Sequence, residues 1–510
     1  MTNNVKKIIY NLFFGIGSQI LLLAVGIVIP RLFITSFGSE VNGFLSSVNQ
    51  VFSYVVLLEA GVGTATLQAL YKPVAADDRE KINGILAATD RFYRRTGWCY
   101  LGCVVILAIV YPIAISSSIP VWQQVAVILV VGSSNSMGYF FHAKFRMLLR
   151  ADGKTYVFTN AHTLVQLGTS VTKIVMILLG MNIVFVQLGH MLLMALMALF
   201  ICRYTRKKYP WLDLKVSPDH RSIAQKNAVL VHEISQMIFS HTDVLILTVF
   251  TDLKVVSVYA VYNMIVDMIS TLIGNIHNSF SFRLGQLYNV DISRYRKVYA
   301  AYETCYMAVS MALYCITFLF LLPFMGLYTD GISDISYTDP LLPVLFIAIK
   351  ILVSGRAIAG STITYAGHFK KTQSRSVFES MINIVVSLSG VWFFGIYGVL
   401  LGTITALLYR TNDIILYVNR RILHQSSLPT YIRWLTNIGL FVLVSLIVKR
   451  YFPIAATGYV VLVIYAAVYT VLILAMFIGV NFLLFRKQLE PTVAYLRNVP
   501  LVRKIYKKKR

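Results

Sequence analysis

The chain has 510 residues, 57% of them hydrophobic and 13% charged, with a formal net charge of +25. Soluble domains carry about a quarter charged residues, so this composition excludes a soluble enzyme or binding module. A basic surplus of this size would ordinarily suggest nucleic acid, but here it is confined to alternate loops between apolar segments, which is the pattern of a multi-pass membrane protein.

A helix crosses the roughly 30 Å hydrocarbon core with about 20 apolar residues. Segments of that kind fall at approximately 8–33, 42–70, 96–117, 120–142, 156–180, 182–202, 229–250, 256–280, 299–327, 340–365, 377–394, 397–418, 431–449 and 457–485. The expected fold is therefore all-α and polytopic, with about fourteen spans and both termini on one side. With the terminal side taken as inside, 38 of the 46 lysines and arginines lie in inside segments. Only Lys254, Lys449 and Arg450 lie outside, and Arg31, Lys173, Lys350, Arg356 and Arg410 lie within spans. Basic residues mark the cytoplasmic side, so both termini are expected there.

The outer loops are short, the longest running from Tyr328 to Asp339, and leave no room for an extracellular catalytic domain. Met1 to Lys7 is weakly basic and no small-residue cleavage site follows, so the first apolar run is expected to be retained as a helix. Cys99, Cys103, Cys202, Cys305 and Cys315 fall in or beside spans and carry neither metal spacing nor a disulfide pattern. The basic tail Arg503 to Arg510 is expected to touch anionic lipid headgroups rather than nucleic acid.

A weak internal repeat aligns Leu32–Phe44 without gaps to Leu247–Tyr259. Both stretches end one span and begin the next at the outer face. The repeat predicts two parallel six-helix lobes, residues 1–220 and 221–425, around a central cavity, with two appended helices and the tail in 426–510.

The polar residues inside the spans are the chemical signal. From Val231 to Asn278, two successive spans each carry a stripe: His232, Gln236, Ser240 and Asp243 on one, and Asn263, Asp267, Ser270, Gly274 and Asn278 on the next. Steps of three, four or eight residues return to one helical face. A carboxylate in hydrocarbon costs several kcal/mol, so these stripes are expected to wall an aqueous cavity. A third stripe, His162, Gln166, Thr169, Ser170 and Lys173, lies on the fifth span, and a fourth, Glu379, Asn383, Ser387 and Gly390, on the eleventh. Glu59 sits within the second span, Arg356 beside Gly355, Gly360 and Ser361, and Arg410 near Asp413. Lys350 is six residues from Arg356, which turns it about 240° round the helix and away from the same point.

Blander readings compete with the functional ones. Arg31 and Arg410, close to span ends, would snorkel to the headgroups. Asp243 would pair with a cation only to hold two helices. The Ser, Thr and Gly members of the stripes would be helix-packing contacts. His162, His190 and His277 would be hydrogen-bonded core residues. Gly153-Lys154-Thr155 lacks the upstream glycine and the strand of a phosphate-binding loop, since Leu148 occupies the glycine position. No nucleophile elbow or metal-ligand cluster is visible. The expectation is a transporter without a cofactor, drawing on an ion gradient, the membrane potential or a partner.

Several stretches, in order, resemble the polysaccharide transport family of the multidrug/oligosaccharidyl-lipid/polysaccharide exporter superfamily. They are Pro30-Arg31 with Ser36 to Gly43, Leu57 to Thr64, Thr242 to Ile246 with Val258-Tyr259, Ala366 to Thr372, Glu379 to Asn383, and Gly395 to Thr403. Glu59 stands where that family often has an Asp. The resemblance implies a two-lobe fold with a cavity that opens alternately to either face. It implies a substrate of undecaprenyl-pyrophosphate-linked oligosaccharide, moved from the inner to the outer leaflet of a bacterial plasma membrane. A polysaccharide polymerase and glycosyltransferases would be its partners. On that reading Lys173 and Arg356, with Arg31, Arg410, His162 and Gln166, hold the anionic substrate, and Glu59, Asp243 and Asp267 serve ion coupling or gating. The alternatives are an ion-coupled multidrug exporter of the same superfamily and a lipid II flippase. The first span has no cation before Arg31, which argues against the latter.

Overall fold

The computed structural model describes residues 26–56, 62–219, 241–454 and 457–489. Among the described residues every regular element is helical. They are α1 (Gly26–Phe37), α2 (Ser39–Val55), α3 (Val62–Ala75), α4 (Arg79–Ala114), α5 (Val121–Ala151), α6 (Thr155–Leu178), α7 (Ile183–Lys208), α8 (His241–Phe250), α9 (Leu253–Val290), α10 (Ile292–Tyr328), α11 (Leu341–Tyr365), α12 (Phe369–Phe394), α13 (Ile396–Ile422), α14 (Leu428–Tyr451) and α15 (Tyr459–Leu484). Eleven of these are long and apolar enough to cross a membrane, and α1 and α8 are shorter apolar helices. This is the expected all-α polytopic fold. The expected site residue Glu59, the stripe members His232, Gln236 and Ser240, and the tail Arg503 to Arg510 lie outside the described residues.

Each of the eleven long spans falls on one expected segment, and several of the helices run beyond it. The third is expected at 96–117, yet α4 begins at Arg79, where the Asp78 side chain accepts a hydrogen bond from the Lys81 amide at 3.1 Å. At 36 residues α4 is about 54 Å long, more than the hydrocarbon core needs. Hydropathy marks only the buried stretch, whereas the helix continues through the basic residues beyond it. Asp291 caps α10 in the same way, accepting from the Arg294 amide at 2.9 Å. The tight turns at Gly153 and Gly367 use left-handed backbone, φ 69° and 67°, which glycine adopts without a Cβ penalty.

Packing divides the chain into two compact units, Met1–Ala260 and Val261–Arg510, with the boundary inside α9. In the first, Leu70, Ile85, Leu86, Leu148, Leu149 and Ile201 form a core shared by α3, α4, α5 and α7. In the second, α10 is the hub. Two thirds of its apolar window is buried, 67% against 17% for α15, so α15 presents most of its surface to lipid. Met311, Cys315 and Leu319 of α10 pack on Val444 of α14 and Phe477 of α15. Between α14 and α15, Asn437 and Asn481 exchange amide hydrogen bonds at 3.1 and 2.9 Å.

Candidate functional site

The second unit holds a buried charge network on three consecutive helices. Arg356 of α11 donates to Glu379 of α12 at 2.5 Å, and Arg410 of α13 reaches the other oxygen of Glu379 at 3.5 Å. Arg410 also donates to Asp413 at 2.6 Å and to the Ser376 hydroxyl at 2.9 Å, while Arg375 pairs with Asp413. Among the described residues three guanidinium groups thus face two carboxylates. Arg410 is almost wholly buried, with 6% of its side chain exposed, so the snorkelling expectation for it is wrong. Proximity to the span end is the sequence signal that misleads here. Glu379, Asp413 and Ser376 hold the guanidinium between α12 and α13, which approach closely farther along their length.

That closeness comes from small residues. A Cβ on Gly398 would overlap the carbonyl of Gly390, and one on Gly402 would overlap the Ser387 hydroxyl. Asn383 donates to Thr403 at 2.9 Å, and Ser387 donates to the Val399 carbonyl at 3.3 Å. The stripe Glu379, Asn383, Ser387 and Gly390 is therefore the α12–α13 contact. It does not line a cavity, and of the two readings the helix-packing one applies here. Likewise Gly355, beside Arg356, is covered by the ring of Trp434 from α14.

The α9 stripe behaves differently. Asp267 accepts from Lys350 of α11 at 2.5 Å and from Asn263 one turn earlier at 2.8 Å. Its side chain is still 49% exposed. A half-exposed carboxylate in the apolar stretch of a membrane helix must border water rather than hydrocarbon, which would cost several kcal/mol. Among the described residues nothing lies within 4 Å of a Cβ at Gly274, and Asn278 is exposed, while Ser270 meets Tyr314 of α10 at 3.3 Å, so this face is only partly covered. Lys350 and Arg356 have different partners, as the 240° between them requires.

The second unit also carries a set of tyrosines on one face of α10 that the polar stripes do not include. Tyr295, Tyr299, Tyr302 and Tyr306 recur at steps of four, three and four on α10. Tyr295 bonds Thr362 at 2.7 Å, Tyr365 donates to the Ser281 carbonyl at 2.8 Å, and Tyr314 bonds Ser354 at 2.8 Å. His277 is held by Ser361 at 2.7 Å and Tyr302 at 3.3 Å, a hydrogen-bonded core residue in line with the bland reading. A buried ion pair also escapes the sequence reading. Glu303 of α10 pairs with Arg433 of α14 and accepts from Thr430 at 2.9 Å and Tyr299 at 3.0 Å, while Arg433 donates to Gln488 at 2.7 Å. By position in the chain, Arg433 counts as a loop cation.

In the first unit, Lys173 is half-buried on α6 with no hydrogen bond or ion pair among the described residues. Its stripe does not gather into one site. His162 stacks near Phe158 with ring centroids 6.0 Å apart, and it lies eleven residues from Lys173, about 16 Å along the helix. The Gln166 side chain is exposed, and the Thr169 and Ser170 hydroxyls turn back to the Gln166 carbonyl at 2.9 and 2.8 Å. Arg31 is half-buried on α1.

Elsewhere in this unit α2 packs on α8 and the start of α9. A Cβ on Gly43 would overlap the Leu253 carbonyl, so the backbones are in direct contact. Asn42 donates to Ser257 at 2.8 Å, Tyr54 bonds Thr242 at 2.8 Å, and Gln50 meets His241. Asp243 accepts from Tyr259 at 3.1 Å. Glu40 accepts from the Ser118 amide at 2.6 Å and from its hydroxyl, tying down the loop after α4. Burial pushes the Glu40 carboxyl up, but the bonds from Ser118 and Ser117 and the nearby Lys254 charge outweigh it and hold the group below its ordinary value.

No protein-family model and no curated protein matches the sequence. Solved structures do match in fold. A structure titled "Lipid II flippase MurJ, inward closed conformation" superposes with a TM-score of 0.68 at 13% identity, over 92% of this chain and 99% of that one. An inward-facing multidrug resistance MATE family transporter of the MOP superfamily gives 0.59 at 15% identity, over 83% and 94%. The MATE multidrug transporter DinF-BH gives 0.54 at 12% identity, over 80% and 94%. The chain has the fold these transporters share.

Proposed function

We propose that the protein is a flippase that moves undecaprenyl-pyrophosphate-linked oligosaccharide from the inner to the outer leaflet of a bacterial plasma membrane, by alternating access, for surface-polysaccharide synthesis. The observation that carries this reading is the cluster of three arginines, Arg356, Arg375 and Arg410, on α11, α12 and α13, in a chain with the fold of flippases and exporters. A pyrophosphate is anionic, and a cation held in a dry site attracts it strongly. The polar residues of α9 are suited to sugars, and the lipid tail can remain in the bilayer. In this scheme Arg356 and Arg410 meet the pyrophosphate or acidic sugars, and Lys173 is a second cation on the path, with Arg31, His162 and Gln166 nearer its ends. Asp243, Asp267 and Glu59 serve coupling or gating. The lobes are residues 1–220 and 221–425, followed by 426–510, with both termini cytoplasmic.

The fold match to a lipid II flippase favours a second reading, in which the carrier bears a peptidoglycan precursor instead. The test is made in cells lacking the gene, following labelled lipid-linked glycans by leaflet. Cytoplasmic-leaflet accumulation of a surface-polysaccharide unit, rescued by the wild-type gene but not by Lys173→Gln or Arg356→Gln, supports the proposal. Accumulation of lipid II supports the second reading. Normal delivery of both would overturn both and bring forward a multidrug exporter.

A further inference from the structure

Away from the residues considered so far, α4, α5 and α7 enclose a cleft of about 410 Å³. Its shape begins with one local departure from α-helical geometry. Gly138–His142 in α5 form a π turn, a feature that widens the helix and frees a carbonyl. The carbonyl of Phe141, within this turn, accepts from the Cys202 thiol of α7 at 3.3 Å. Across the cleft, Gly97 of α4 is bare, and a Cβ there would lie 2.8 Å from the ring of Phe140. Phe140 therefore rests on the α4 backbone, and Trp98 meets it edge-on with centroids 5.4 Å apart. The wall is aromatic, and Trp98 is 69% exposed on it.

The other edge is cationic. Arg94, Lys144 and Arg206 line it, from the ends of three different spans. Among the described residues one carboxylate answers them. Asp90 pairs with Arg94 at 2.9 Å and with the buried Lys144, and Arg206 has no ion pair among the described residues. All three cations belong to segments that the basic excess marks as cytoplasmic. Cations on one edge, with an exposed tryptophan and phenylalanines beside them, match the boundary between headgroups and acyl chains. A soluble anion would have no use for the aromatic wall.

We propose that this cleft binds an anionic glycerophospholipid of the cytoplasmic leaflet. Arg206 and Arg94 hold its phosphate, Lys144 supports them, and an acyl chain lies along Trp98 and Phe140. The site shares no residue with the charge network of α11 to α13 and does not depend on what the protein transports.

The experiment titrates the purified full-length protein in neutral detergent with phosphatidylglycerol, phosphatidylcholine and glycerol phosphate, reading thermal stability. Phosphatidylglycerol should raise the midpoint saturably, and the other two should not. The exposed pair Arg94→Gln/Arg206→Gln should weaken the apparent affinity about thirtyfold. Trp98→Ala should weaken it while keeping the preference for the anionic lipid. An equal response to phosphatidylcholine, or an unchanged affinity in both variants, would overturn the proposal. An equal response to glycerol phosphate would make it a soluble-anion site and overturn the lipid assignment. Competitive displacement of phosphatidylglycerol by a pyrophosphate-linked oligosaccharide would assign the cleft to the carrier lipid and overturn the phospholipid reading.

Discussion

Glu379 and Arg356 touch each other, yet their removal should have unequal effects. Glu379→Gln withdraws the carboxylate that both Arg356 and Arg410 contact. Removing one member of a buried pair leaves an uncompensated charge, which costs about 3–5 kcal/mol. Arg356→Gln instead loses its charge-assisted hydrogen bond to Glu379, worth about 1.5–3 kcal/mol, and leaves Glu379 compensated by Arg410 at 3.5 Å. The double variant Arg356→Gln/Glu379→Gln removes one charge of each sign and should recover part of what Glu379→Gln loses, because contacting sites do not add.

The assay is thermal midpoint by size-exclusion chromatography in detergent, run beside surface-polymer output. The expected stability order is wild type, then Arg356→Gln, then the double variant, then Glu379→Gln, with polymer lost in all three variants. If Glu379→Gln were as stable as Arg356→Gln, Glu379 would not be the compensating centre of the network. If Arg356→Gln kept both its stability and its polymer, Arg356 would have no part in transport.

Glu303→Gln should lower stability by about 3–5 kcal/mol, since Glu303 and Arg433 are both buried. Asn481→Leu should cost only about 1 kcal/mol, the usual worth of an interhelical hydrogen bond in a membrane; thermal midpoints of the two variants check the order. A cysteine pair at Asn42 and Ser257 should crosslink under oxidant, seen by mass spectrometry, and arrest polymer output until reductant is added; output unaffected by a formed crosslink would remove this contact from the transport cycle. Glu40 is held below its ordinary value of 4.5, so its stabilising effect is present above that pH and lost as pH falls through the lower folded-state value. Thermal midpoints measured from pH 6 to pH 3, a range of about three units around that value, should fall less steeply in Glu40→Gln than in wild type.

The spans are legible because the membrane imposes length and hydropathy directly. Spacing gives the face of each polar residue, and the separate partners of Lys350 and Arg356 follow from it. Spacing does not name the partner. The stripe on α12 obeys the same periodicity as the one on α9, yet the first is sealed by Gly398 and Gly402 of α13 while the second is only partly covered. Only the neighbouring helix decides between them. The Glu303–Arg433 pair is hidden for the same reason: Arg433 lies next to a basic loop in the chain, and its burial depends on α10 and on Gln488.

The internal repeat has a consequence in three dimensions. Its two copies are offset by 215 residues, and Asn42 and Ser257, which hydrogen-bond at 2.8 Å, are separated by that offset. They are equivalent positions of the two copies. Equivalent positions touch when a two-fold relation passes through the contact, as in an isologous interface. Gly43 lies beside this contact with its Cα against the Leu253 carbonyl, where any side chain would force the copies apart. The loss of the crosslink in a Gly43→Leu background is the measurement that would show how closely the two turns must approach.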